Sequence, residues 1–227
     1  MIIFGNEIIK KSFHSIAPRN RKMDNKEKIL IGAEELFFRF GIKSMTMDDI
    51  AKHLGMSKKT IYQFYEDKDA LVTSLVDAHI KRNSTQMCGY AESSKNAILE
   101  ILSAIKHMSE MFSRTNPLLF HDLQKYHSEA WKNFTTFKND ILLKIVIDNL
   151  KRGIAEGLYR ENISIKILAK LRIEEVEMAF NPNVFPPSQY NMLEVAKQLL
   201  EHFLLGICTL KGHKMANKYF EITENEN

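Results

Sequence analysis

Cysteine, proline, glycine and tryptophan are all scarce in these 227 residues, at two, five, nine and one. Cys88 and Cys208 lie far apart and match no zinc or C-x-x-C spacing, so a disulfide scaffold and a cysteine-held metal are excluded, and two small buried thiols in a reducing compartment are expected. With so little glycine and proline against 44% apolar residues, the chain reads as globular and helix-rich rather than fibrous or disordered. Long apolar runs are missing too. The best, Leu199 to Leu210, contains Glu201 and His202 and falls short of the roughly 20 residues that cross a bilayer. In the opening Met1-Ile2-Ile3-Phe4 the lysines follow the apolar residues instead of preceding them, which is the wrong order for a signal peptide. A soluble, cytoplasmic protein without membrane contact is the expectation. Charge of one sign is also lacking: the net +4 resides in residues 1–23, which carry Lys10, Lys11, Arg19, Arg21 and Lys22 against Glu7, and the remainder is neutral. Function must therefore be argued from local placement.

Helical spacing is what the sequence does have. Residues 1–23 lack sustained periodicity and read either as a basic arm for phosphate or minor-groove contacts or as an extension without function. From Asp24, Ile29, Ala33, Leu36, Phe37 and Phe40 recur at helical intervals until Gly41. Thr46, with Asp49 three residues on, opens a short helix, Ser57 caps the next, and Asp67 caps a fourth that runs towards Met87. Beyond a break at Gly89–Ser94, five more helices are expected: Ile98–Phe112, a short one opened by Asn116-Pro117 and running to about Gln124, a long helix through Trp131, Phe134, Phe137, Ile141 and Ile145, Ser164–Phe180, and a last helix Tyr190–Leu210. No alternating strand pattern appears. The fold class is all-α, with a helix-turn-helix DNA-binding head over 24–88 and a helical-bundle body for ligand binding and dimerisation over 89–227.

Thr46 to Tyr65 carries the chemistry. Two short helices joined by a tight glycine turn are the sequence form of a helix-turn-helix, whose second helix buries one face and offers the other to DNA. At 100° per residue Ile61, Phe64 and Tyr65 fall inward, and Lys59 and Gln63 fall outward between Thr60 and Tyr62. That outer face holds an ammonium, an amide, a hydroxyl and a phenol but no carboxylate, which suits a phosphate-lined groove. Gln63 can read a base edge, Lys58 and Lys59 can reach guanine acceptors or phosphate, and Thr60 can bond phosphate or meet a thymine methyl. Tyr62 can pack on the backbone, while Thr46 and Lys68 can clamp phosphates on either side.

The stretches Ile29–Gly41 (ILIGAEELFFRFG), Thr46–Gly55 (TMDDIAKHLG) and Ser57–Leu71 (SKKTIYQFYEDKDAL) resemble the DNA-binding domain of the TetR family of bacterial repressors. The resemblance implies DNA contacts from Thr46, Lys58, Thr60, Tyr62 and Lys68. Lys59 and Gln63 depart from the family pattern on the groove face, so operator preference does not carry over. In that family the body binds a small molecule and its last two long helices pair two subunits.

In the body, Met108, Met111, Phe112, Phe120, Tyr126, Trp131 and Phe134, with His121 and Gln124 as polar partners, are the expected lining of a pocket for a small apolar ligand. Val195, Leu199, Leu200, Phe203, Leu204 and Ile207 form a stripe too broad for one neighbour, and a homodimer interface is expected to cover the excess. His107, His121, His127, His202 and His213 are scattered, with no helical metal spacing, and no nucleophile elbow, phosphate loop or dinucleotide fingerprint appears. The reading is thus a transcriptional regulator acting on a double-stranded DNA operator and released by a ligand, with no catalysis, cofactor or metal. The alternative is a helical enzyme or small-molecule carrier using the same pocket, which would leave the Lys58–Gln63 face unexplained.

Overall fold

The structure, a computed structural model, describes residues 24–112, 115, 116 and 118–225; of residues 108–112, 219 and 221–225 only the backbone is described. The amino-terminal arm, the side chains of Met108, Met111 and Phe112, and that of Pro117 therefore lie outside the described residues.

Each helix of the head starts where a side chain can satisfy its free N–H groups. α1 (Asn25–Phe40) opens with an Asp24–Glu27 capping box, and α2 (Met47–Leu54) with a Thr46–Asp49 box. The Ser57 hydroxyl caps α3 (Lys58–Tyr62), and the Asp67 carboxylate accepts from the Ala70 N–H to start α4 (Lys68–Ser93). Between α2 and α3, Gly55 takes φ +63°, a left-handed geometry that costs other residues about 1 kcal/mol or more. Ile29, Phe37, Ile50, Ile61 and Leu71 are fully buried and tie these four helices together.

The body follows as α5 (Ala97–Phe112), α6 (Leu119–Tyr126), α7 (Ser128–Thr136), a π-helical turn (Phe137–Leu142), α8 (Leu143–Ala155), α9 (Ile165–Ala179), α10 (Met192–Ile207) and α11 (Leu210–Asn225). Among the described residues the sole extended pairing is a bridge between Tyr159 and Cys208. No helix among the described residues is long and apolar enough to cross a membrane. α5, α8, α9, α10 and α11 gather around Ile98, Leu150, Tyr159, Leu204 and Ile207. Gly153 of α8 is there because the Tyr159 ring lies against its Cα: a Cβ would stand 1.9 Å from Tyr159 Cδ2.

α6 and α7 belong to the head's core rather than the body's. Leu119, Leu123 and Ala130 are buried with Ile29, Phe37 and Leu71, and Phe120, Trp131 and Phe134 pack on that cluster. Polar ties follow the same seam. The Asn116 N–H donates to the Phe38 carbonyl at 2.6 Å, the Lys43 N–H donates to Asp122 Oδ2 at 2.9 Å, and buried His127 meets Asp69 with Nδ1 2.5 Å from Oδ1. Asn133 Nδ2 donates to Asp77 Oδ1 at 2.9 Å.

Several expectations change here. α4 continues through Gly89 to Ser93, because a glycine inside a helix weakens it without ending it, so residue 88 falls within one helix. The last helix is α11; α10 stops at Ile207, where extended Cys208 and Thr209 turn the chain. Phe40 and Phe64 are exposed, at 45% and 38%. Phe40 is the last residue of α1, and Phe64 follows the end of α3, where a turn bond to Ile61 replaces helical spacing. Cys208 is buried as expected, whereas Cys88 is exposed. The π-helical turn adds a residue to one turn and so shifts the phase of the helix beyond it. Leu142 consequently faces inward, whereas Ile141 is 40% exposed.

Candidate DNA interface and body cavity

The groove-facing surface is built by burying its reverse side. Ile61 and Tyr65 are 0% and 3% exposed, which turns Lys58, Lys59, Tyr62 and Gln63 to the outside, with Thr60 half-buried beside them. Ser57 Oγ stands 2.8 Å from Thr60 Oγ1 and accepts the Thr60 N–H at 3.1 Å, so the Thr60 hydroxyl is already oriented at the helix start.

Two candidate residues have internal partners: that of Lys58 was not visible in the sequence pattern, whereas the Thr46–Asp49 capping pair was. Lys58 Nζ pairs with Asp48 Oδ1 of α2 at 2.9 Å, an interaction that raises the lysine's pKa; its ammonium also lies 5.9 Å from the Tyr62 ring centroid. α3 itself offers no carboxylate, but α2 brings one to its side. Asp49 Oδ2 accepts from the Thr46 hydroxyl at 2.6 Å and from the Thr46 N–H at 2.9 Å, and these bonds hold the Asp49 carboxyl below its usual range, while Thr46 Oγ1 accepts the Asp49 N–H. Lys68, at the start of α4, leans inward, its amine 5.9 Å from the Phe37 ring. Burial lowers its pKa, partly offset by Asp122 and Asp69. Lys43 is an exposed cation absent from the sequence-based set. Its amine lies 5.2 Å from the Tyr126 ring centroid, and hydrogen bonding to that phenol raises its pKa.

The expected pocket is filled. Phe120 stacks on Phe180 at 4.5 Å and tilts against Phe134 at 5.5 Å, while Trp131 sits 5.4 Å from Phe134. Tyr126 is 41% exposed, and His121 is half-buried beside them. The aromatics fit well because the head's core extends between α6 and α7 and takes up the space. A cavity of about 120 Å³ lies elsewhere, walled by the end of α4 (Met87, Tyr90), α5 (Glu100, Ile101, Ala104, Ile105), the turn and α8 (Leu142, Ile145, Val146, Asn149, Leu150), α9 (Arg172, Ile173, Val176) and α10 (Leu200, Phe203). Of the residues expected to line the pocket, Phe120, His121, Tyr126, Trp131 and Phe134 do not border it, and the side chains of Met108, Met111 and Phe112 lie outside the described residues. Its walls come from five segments, each of which supplies ordinary core residues at ordinary spacing, so no local pattern marks it.

The α10 stripe is likewise used inside the single chain. Val195, Leu200, Phe203, Leu204 and Ile207 are at most 9% exposed, and Leu199 alone of the six is half-buried. Packing of α10 on α5, α9 and α11 accounts for the breadth of the stripe. The exposed apolar residues of the body include Ile167 and Leu171 on α9, at 66% and 46%, and Leu210, at 84%, besides Leu118, Ile141 and Val184.

A capped helix-turn-helix with a polar, cation-rich outer face, set on a helical body, defines a DNA-binding transcriptional regulator. Residues 29–75 match the model for bacterial regulatory proteins of the tetR family. Among curated proteins it is 26% identical over 165 residues to the HTH-type transcriptional regulator YvaF of Bacillus subtilis, covering 72% of this chain and 86% of that one. It is 34% identical over 71 residues to EthR of Mycolicibacterium smegmatis, 29% of this chain and 33% of that one. Among solved structures, reduced Escherichia coli NemR superposes with a TM-score of 0.66 at 16% identity, over 82% of this chain and 98% of that one. Bacillus subtilis FadR in complex with stearoyl-CoA superposes at 0.61 and 19%, over 79% and 98%.

Proposed function

We propose that this regulator is a homodimeric repressor, released from a pseudo-palindromic operator when a small apolar molecule occupies the α4/α5/α8/α9/α10 cavity. The observation that carries this reading is the reach of α4. Its 26 residues extend about 39 Å at 1.5 Å per residue. It begins at Lys68 and Asp69 beside the head and ends with Met87 and Tyr90 in the cavity wall. A molecule filling the cavity acts on the far end of the same rod whose near end sets the recognition helix. Gln63 and Lys59 read base edges, and Lys58, Thr60, Tyr62, Thr46 and Lys68 hold the phosphates. A second copy covers Ile167 and Leu171 on α9, and the two heads then address half-sites about 34 Å apart, one helical turn of DNA.

Release requires that the ligand favour the arrangement that does not fit DNA. A hundredfold preference corresponds to about 2.7 kcal/mol of coupling, and operator DNA must then weaken the ligand by the same factor. The test is fluorescence anisotropy with labelled fragments of the DNA upstream of the protein's own coding sequence. The expected result is saturable binding, competed by that sequence and not by bulk DNA, and Gln63→Ala should cost about 1–3 kcal/mol with relaxed preference at one or two base pairs. Binding that bulk DNA competes equally well, or a Gln63→Ala variant with intact preference, overturns the assignment of the face.

A further inference from the structure

The cavity is apolar with four polar exceptions, and three have their groups engaged elsewhere. Asn149 donates through Nδ2 to the Ala97 carbonyl at 3.0 Å and accepts from the Tyr159 hydroxyl at 3.2 Å. Glu100 is paired with Arg152 at 3.0 Å, and Arg152 is itself anchored by Glu156 and by the carbonyls of Ala91 and Ser94. Tyr90 sets its ring 6.2 Å from that of His107. Arg172 differs. It is 9% exposed, and among the described residues its one hydrogen bond to another side chain is a long one, from Nη1 to Glu175 Oε2 at 3.3 Å. The guanidinium carbon lies 5.8 Å from the Phe203 ring centroid, a second contact that fixes its plane without using its N–H groups. A guanidinium carries five N–H donors in a rigid fork, more than the single bond to Glu175 uses.

Resting on the reading that the cavity holds the ligand, we infer that Arg172 is its specificity residue and that the ligand is a small apolar monocarboxylate. The carboxylate takes the guanidinium's remaining donors in a two-point pair, and the hydrocarbon lies among Ile101, Ile105, Val146 and Ile173. Size agrees with this class. A cavity of about 150 Å³ accepts benzene, so 120 Å³ takes a body of about five carbons.

The experiment titrates the homogeneous full-length protein, free of DNA, with pentanoate, pentanamide and 1-pentanol, following the Arg172 Nε–Hε resonance and the methyl resonances of Ile101 and Ile173. Pentanoate should bind at least tenfold more tightly than the amide or the alcohol and should move the Arg172 resonance. Removing Arg172 alone would strand the Glu175 carboxylate in the interior, so the variant is Arg172→Met with Glu175→Gln. It should keep the wild-type helical circular dichroism, still bind pentanol, and lose the preference for the acid. Equal binding of acid and amide, a preference that survives in the double variant, or no binding of any of the three overturns the inference. Operator affinity is measured separately with saturating pentanoate. Acid binding through Arg172 with unchanged DNA affinity would sink the release mechanism and leave the ligand class standing.

Discussion

The Lys58 ammonium is held by Asp48 at 2.9 Å before any DNA arrives. To meet a phosphate it must leave that partner, and Asp48 then stands close to the phosphate as a like charge. Both side chains are about half exposed, so the pair itself contributes little to stability. Asp48→Asn should accordingly leave the melting temperature unchanged, tighten DNA binding, and steepen the salt dependence by about one unit of slope. A salt titration of binding checks this, and an unchanged slope would mean that Lys58 makes no phosphate contact. Glu34 shows the opposite regime. It is buried between α1 and α4, with Oε1 2.6 Å from His79 Nε2 and 3.0 Å from Arg82. Burial pushes its carboxyl up, but the bonds and charges of His79 and Arg82 outweigh burial and leave it below its usual 4.5. Since the folded carboxyl ionises more readily than the unfolded one, its contribution is complete above about pH 4.5 and fades as pH falls through the lowered folded value. The wild-type melting temperature should thus drop more steeply below about pH 4.5 than that of Glu34→Gln, as read by circular dichroism melts. Parallel curves would exclude Glu34 as an acid-sensitive contact.

Among the helices, those of the head were the most legible in the sequence. Thr46, Ser57 and Asp67 each cap a helix within a few residues of the side chains they serve, so caps and apolar spacing are local information. Features set by distant partners were not legible. The π-helical turn moved Ile141 out and Leu142 in, and the α10 stripe found its partners inside the chain. Leu200→Glu with Phe203→Glu therefore places charges in a buried core and should unfold the body, whereas Ile167→Glu with Leu171→Glu on exposed α9 should give folded monomers with weakened operator binding. Analytical ultracentrifugation alongside circular dichroism separates the outcomes; a folded dimer of the α9 variant would place the interface elsewhere. The reason for Gly153 was not legible in the sequence, since Tyr159 packs where a Cβ would be. Gly153→Ala should cost about 1–3 kcal/mol, as overpacking does, and a denaturant midpoint equal to wild type would contradict that contact.

On the scale of the whole molecule, two centres of packing are joined by α4 and by the α6–α7 pair. The aromatic set Phe120, Trp131 and Phe134 was recognisable as a cluster of large side chains, but its side of the molecule was not, because nothing local distinguishes a core aromatic from a pocket aromatic. The cavity escaped the sequence for the matching reason: its five walls meet only in three dimensions. Since Leu119, Leu123 and Ala130 are buried with the head's own residues, a fragment ending at Ser93 exposes the underside of α1 and α4. It should populate little folded state, whereas one ending at Thr136 should retain the head. Hydrogen exchange protection of α2 in the two fragments decides the matter, and equal protection would show a self-sufficient head.

That shared seam bears on how such proteins can be recombined. A chimera that joins this reading head to another regulator's sensor at the end of α4 would cut through a hydrophobic interior and leave Asp69 without His127 and Lys43 without Asp122. The transplantable unit is discontinuous in function but continuous in chain. It runs from Asp24 through the α6–α7 pair, so whoever transplants the head of this protein must take part of its body with it.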